Sequence, residues 1–155
     1  MSDFREAFEA AAPQFIAAAW DYTDRSEAVE KLWVYVTEED DVSVAVAFYR
    51  VAGEVHTAHE VGQAIPAVDS SPAGQNELLD NLLDVLNEMF DAVEEDQFPT
   101  RMVLSFDTGT QEMNAEFSYE PLQPGVPEDE LVPDAKLADR WLERLRSTGE
   151  DSAEL

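Results

Sequence analysis

His56 and His59, flanked by Glu54 and Glu60, are the residues of this chain that most resemble metal ligands. On a strand, residues three apart point to opposite faces, so the two imidazoles can share an ion only on a helix, and no third ligand is evident. The plainer reading is two ordinary polar histidines, and no metal site is expected. Carboxylates are abundant, but acid–base catalysis needs a pair whose pKa values are driven apart, usually by burying one member. Acids on exposed helix faces and hairpin tips do not meet that need. No serine sits in a nucleophile-elbow sequence, and Gly109 is a turn glycine outside any Gly-rich phosphate loop. The acidic clusters at residues 38–41 and 128–130 lack the ligand spacing of a calcium loop. No catalytic residue and no cofactor are expected, and the chain does not read as an enzyme.

The arrangement that could do chemistry of another kind is a helix with two unlike sides. Leu78, Leu79, Leu82, Leu83, Leu86, Met89, Phe90 and Val93 recur at helical spacing, and Glu77, Asp80, Asp84, Glu88, Asp91 and Glu95 recur at the same period opposite them. At roughly 100° per residue the acids fall within an arc of about 80°. No Lys or Arg interrupts them, although like charges four apart destabilise a helix and Glu–Lys pairs support it. Such a face is a candidate docking surface for a basic protein, where complementary potential speeds encounter and buried anchors supply affinity.

Composition extends the theme. The 155 residues carry 35 Asp and Glu against 9 Lys and Arg, a formal net charge of -26. That imbalance argues against nucleic acid or an anionic membrane as partner. It permits a basic protein, a cation, or life in high salt. A hydrophobic content of 45% is enough to bury a core, so the charge does not imply disorder. There is no cysteine, which removes disulfides and thiolate chemistry. The opening residues, with Asp3, Glu6 and Glu9 beside Arg5, are unlike a basic leader, and no stretch approaches the ~18 apolar residues of a membrane span. A cytoplasmic location is the expectation.

The elements that must position these residues follow from periodicity. Asp3 can cap a first helix in which Phe4, Phe8, Phe15 and Ala19 share a side and Pro13 is expected to kink or divide it. Residues 32–37 and 42–51 alternate as strands about the acidic tip Glu38, Glu39, Asp40, Asp41, an antiparallel hairpin. Residues 55–61 read as a third strand and 62–74 as loop. The acid-faced helix spans 77–95 and stops before Pro99. Residues 101–107 and 113–119 form a second hairpin about Thr108, Gly109 and Thr110; a proline-rich linker and a helix over 134–146 complete the domain. The order α-β-β-β-α-β-β-α predicts an α+β fold, an antiparallel sheet of about five strands with helices packed on one face. Residues 1–146 form a single domain and 147–155 a polar tail. The second face of the sheet is expected to be partly open, with Trp33, Tyr35 and Tyr49 beside Glu116 and Ser118 as a wet aromatic platform for protein contacts.

The run Lys31-Leu32-Trp33-Val34-Tyr35-Val36, the acidic tip, and Val46-Ala47-Phe48-Tyr49 resemble the first hairpin of the YezG-type immunity proteins. The Leu-rich helix from Glu77 is similar to that family's central helix. Phe98-Pro99-Thr100, Leu104-Ser105-Phe106-Asp107-Thr108-Gly109 and Glu116-Phe117-Ser118-Tyr119 resemble its Pro-Trp-Thr entry, Thr-Gly turn and Phe-x-Tyr strand. The similarity covers roughly residues 30–122. Two positions differ: the family's Trp between Pro99 and Thr100 is missing, and Thr110-Gln111 replaces its Lys-Phe. The resemblance implies a small cytosolic antitoxin that binds a cognate secreted toxin domain, often a nuclease, and protects the bacterial cell that makes it.

Two functional expectations follow. One is an immunity protein, monomer or homodimer, that blocks a basic toxin through its acidic surface. The other is a non-enzymatic acidic α+β protein of a salt-adapted or high-GC organism, a possible homodimer, whose charge reflects proteome-wide bias.

Overall fold

A computed structural model describes residues 4–39, 42–66, 68–69, 71–93, 97–123, 125–131 and 134–149. Helix α1 (Phe4–Tyr22) leads into strands β1 (Val29–Glu39), β2 (Val42–Val51) and β3 (Glu54–Thr57). Helices α2 (Ala58–Ala64) and α3 (Pro72–Ala92) follow, then β4 (Arg101–Asp107), β5 (Glu112–Ser118) and α4 (Asp134–Thr148). The five strands form one antiparallel sheet in the order β3-β2-β1-β4-β5. The α+β class, the strand count and the succession of strands and principal helices are those expected from periodicity.

The long central strand β1 carries apolar residues at every position from Leu32 to Val36, and all are buried. Such an unbroken run is the mark of a strand covered on both faces. On one face, Leu32, Val34 and Val36 join Ala45, Ala47, Tyr49, Met102 and Leu104 against α1, α2 and α3. On the other, Trp33, Tyr35, Phe48 and Val103 pack under Ala138, Trp141, Leu142 and Leu145 of α4. The second face is therefore covered by α4 rather than partly open, and the layers run helices, sheet, helix.

Several local departures have identifiable causes. Pro13 lies inside a continuous α1; it is exposed, so solvent can serve the Glu9 carbonyl that loses its donor. The proposed cap Asp3 lies outside the described residues. The third strand stops at Thr57 because Thr57-Ala58-His59-Glu60 is a capping box. The Thr57 hydroxyl accepts from the Glu60 N–H at 3.1 Å, and a Glu60 carboxylate oxygen accepts from the Thr57 N–H at 3.0 Å. Helix α2 thus occupies residues expected to be strand and loop. Helix α3 likewise begins five residues before Glu77, capped by Ser71, whose hydroxyl accepts from the Gly74 N–H at 3.2 Å, with Pro72 at the first helical position. Gly74 is required there: a Cβ would come within 2.1 Å of the Asp69 carbonyl oxygen. The last helix runs to Thr148, past the expected stop at Arg146, so the tail begins later than position 147.

Candidate docking surfaces

Amphipathic spacing orients α3. Leu78, Leu82, Val85, Leu86 and Met89 are buried against the sheet and α1, which leaves Glu77, Asp80, Asp84, Glu88 and Asp91 exposed on the outer side. Among the described residues none of these five carboxylates has an ion-pair partner. Glu95, the sixth acid of the series, lies outside the described residues. At the β1–β2 tip, Glu38 and Glu39 are half-buried, and Glu39 accepts from the Leu122 N–H at 3.1 Å. Asp40 and Asp41 also lie outside the described residues.

The aromatic platform is overturned. Trp33 is 2% exposed and Tyr35 is fully buried, both beneath α4, where Trp141 packs on Tyr35 at 5.3 Å and on Phe48 at 5.7 Å between ring centroids. Tyr49 lies on the opposite face, because Leu32 is its β1 partner and Phe48 is the partner of Trp33. Its hydroxyl donates to the Ala19 carbonyl at 2.6 Å, and burial pushes its pKa well above the usual tyrosine range. All three rings are core, and none is available to a partner. Alternation places Trp33 and Tyr35 on a common face with Glu116 but carries no signal of which helix covers that face.

The two histidines do not converge. His56 is on β3, while His59 lies in the first turn of α2 with its Nδ1 3.2 Å from Gln75 Nε2. Among the described residues no group of three or more His, Asp or Glu side chains is placed to hold a metal ion. No helix among them is long and apolar enough to cross a membrane.

One feature escaped the sequence reading. Lys31, Arg50 and Arg146, a third of the chain's bases, meet with His56 around a cleft of about 640 Å³ at the β3 end of the sheet. The three bases have partners within the chain. Arg146 pairs with Glu60 at 2.7 Å and donates to the Val55 carbonyl at 2.9 Å; Arg50 approaches Glu30 at 3.6 Å; the Lys31 ammonium sits 5.4 Å over the Trp33 ring. The Arg146 contacts fasten α4 to β3 and α2, and the approach of Arg50 to Glu30 joins β2 to β1. Lys31, Arg50 and Arg146 are far apart in sequence, so their meeting was not readable from spacing. A comparison of the sequence with protein-family models and with curated proteins finds no match.

Proposed function

We propose that this chain is a stoichiometric inhibitor, an immunity protein that binds a basic toxin domain without turnover and meets it first through the outer side of α3. The observation that carries this reading is the row of five exposed carboxylates, Glu77 to Asp91, held in register on a rigid, well-buried helix with no base beside them among the described residues. A fixed array of one sign accelerates encounter with a surface of the other sign and rejects acidic competitors. The resemblance of residues 30–122 to the YezG-type immunity proteins supports the same reading, and a nuclease cleft built for phosphates is the kind of basic surface such a row fits.

The test is stopped-flow association with the toxin domain encoded beside this chain. Reversing Asp84, Glu88 and Asp91 to Lys together is expected to slow association at least about tenfold at low salt, with dissociation nearly unchanged. Raising the salt concentration is expected to slow the native protein in the same way. An association rate indifferent to both changes would remove α3 as the docking surface.

The reading of charge as host-wide bias rests on a separate observation. Glu54, Glu112, Glu116, Asp139 and Glu143 are exposed on other parts of the surface. It expects a folded state that gains stability steadily as KCl rises, and an equal scarcity of lysine across the cell's other proteins.

A further inference from the structure

We infer that β5 is a strand-acceptor edge, and that its occupant is an extended segment of the basic partner protein in which apolar residues alternate with Lys or Arg. This inference rests on the binding-protein reading above and adds a second contact to it. The sheet ends in two edge strands, β3 and β5, and they differ. On β3 the Arg146 guanidinium donates to the Val55 carbonyl from Nε and Nη2, at 3.2 and 2.9 Å, so the chain itself occupies part of that edge. On β5 no residue is buried, and among the described residues no strand lies on its outer side. Its seven residues at ~3.4 Å each give about 24 Å of edge.

Two hydrogen bonds fix which backbone groups that edge offers. The Thr108 N–H donates to the Glu30 carbonyl at 3.2 Å and the Glu38 N–H to the Thr100 carbonyl at 2.9 Å, one at each end of the β1–β4 ladder. Bonded and non-bonded pairs alternate along an antiparallel ladder. The even-numbered residues of β4 therefore turn their N–H and C=O groups to β1, and the odd-numbered ones, Arg101 to Asp107, turn theirs to β5. Their partners Ser118, Glu116, Asn114 and Glu112 receive them. Met113, Ala115 and Phe117 are left with their backbone groups directed outward.

The same alternation sorts the side chains of the edge. Met113, Ala115 and Phe117 share the three-helix face with their β4 partners Phe106, Leu104 and Met102. There Phe117 meets Phe4 and Phe8 of α1 at 5.2 and 5.0 Å between ring centroids. Met113 nevertheless stays 42% exposed and Phe117 38%, so they offer two apolar seats to an added strand. Glu112 and Glu116 are exposed on the other face, where the core beneath α4 holds no β5 residue among those described.

Charge selects the occupant. Pairing β5 with β5 of a second copy would bring two chains of net charge -26 together and gather Glu112 and Glu116 of both copies on one strip. Charged side chains on an edge deter self-pairing of that kind. A basic strand instead gains backbone hydrogen bonds at Met113, Ala115 and Phe117, apolar contact with two of those side chains, and opposite charge at Glu112 and Glu116.

The experiment titrates the full chain with three synthetic peptides and follows amide exchange by NMR. One peptide alternates Val with Lys and Arg, one is the same peptide N-methylated along its backbone, and one alternates Val with Glu. The unmethylated basic peptide is expected to slow exchange at Met113, Ala115 and Phe117 by roughly tenfold or more, while the other two peptides leave those amides unchanged. Reversing Glu112→Lys and Glu116→Lys together is expected to weaken the basic peptide roughly tenfold and to admit the acidic one, with the amides that pair β5 to β4 still protected. Equal binding of the methylated peptide, or peptide-induced shifts confined to α3, would overturn strand addition while leaving the acidic docking surface standing. Slow exchange of the same three amides in concentrated protein alone, with a dimer in sedimentation, would make a second copy the occupant and overturn the inference. A basic peptide that shifts no β5 amide at low salt would overturn it too, whereas the toxin association rates decide the reading of α3 separately.

Discussion

The two faces of the sheet are stabilised in opposite styles. One face meets three helices, and its core runs from Ala11 and Phe15 through Leu32, Val34 and Tyr49 to Leu82, Leu86 and Met89. The other meets α4 alone, and Trp141 is the one large ring that α4 contributes, seated on Tyr35 and Phe48. A load shared among three helices makes a cooperative unit, whereas a face covered by one helix allows local opening. The difference predicts that the α4 layer opens below the temperature at which the rest unfolds.

Trp141→Ala tests that contrast with the largest effect. Deleting a fully buried indole costs about 3–5 kcal/mol through lost transfer energy and the cavity left behind. The expected signature is fast amide exchange through α4 and exposure of Tyr35, with the exchange of β1 and α3 changed far less. Leu86→Ala, on the three-helix face, is expected to cost about 2–5 kcal/mol and to lower protection in every element together. If the two variants gave the same exchange pattern, the faces would form a single cooperative unit.

Tyr49→Phe probes the three-helix face more gently. It removes one buried hydrogen bond and leaves the Ala19 carbonyl without its donor, for a loss of about 1–2 kcal/mol in denaturant midpoint measurements. That the same residue was expected on an open platform shows where sequence reading reached its limit. Alternation in β1 and β2 was legible, and with it the hairpins and the class of fold, but not the register: Glu38 and Glu39, expected in the tip, pair with Ser43 and Val42. The face to which a given parity belongs was not, because Tyr49 and Phe48 are both aromatic and only their partners, Leu32 and Trp33, decide their sides. Two helix starts are written in the sequence: Thr57-x-x-Glu60 is a capping box, and Ser71-Pro72 is a cap followed by a first-turn proline. The acidic side of α3 was readable from Glu77 to Asp91, since a helical period fixes it without tertiary context. The β5 edge was not, because strand order sets edges.

Arg146 and Glu60 tie the two faces together around the β3 edge, joining α4 to α2. The Thr57 backbone N–H lowers the Glu60 pKa most; desolvation opposes it, and the Arg146 guanidinium adds to the lowering, so the group lies below the usual carboxylate range. A folded-state pKa below the unfolded one stabilises above the unfolded value, about 4.3, and that stabilisation is lost as pH falls through the folded value. Glu60→Gln is therefore expected to lower the melting midpoint slightly at pH 7 and not at all in strong acid, with the acid limb of the profile flattened. Because both side chains remain a third or more exposed, the effect is small. An unchanged profile would mean the faces are coupled through the sheet alone.

The last effect has the opposite sign. Asp84 faces Asp80 and Glu88, each four residues away on the same exposed side of α3. Asp84→Lys converts two like-charge pairs into opposite-charge pairs, each pair contributing about 0.2–0.5 kcal/mol in either direction. The variant is expected to melt slightly higher than the native chain and to associate more slowly with a basic partner. A stabilising substitution that costs association is what a surface arranged for binding predicts, since the repulsion is tolerated for the sake of the encounter. Should the melting midpoint fall instead, the carboxylates would be supporting the fold, and the acidic side of α3 would belong to its stability rather than to a partner.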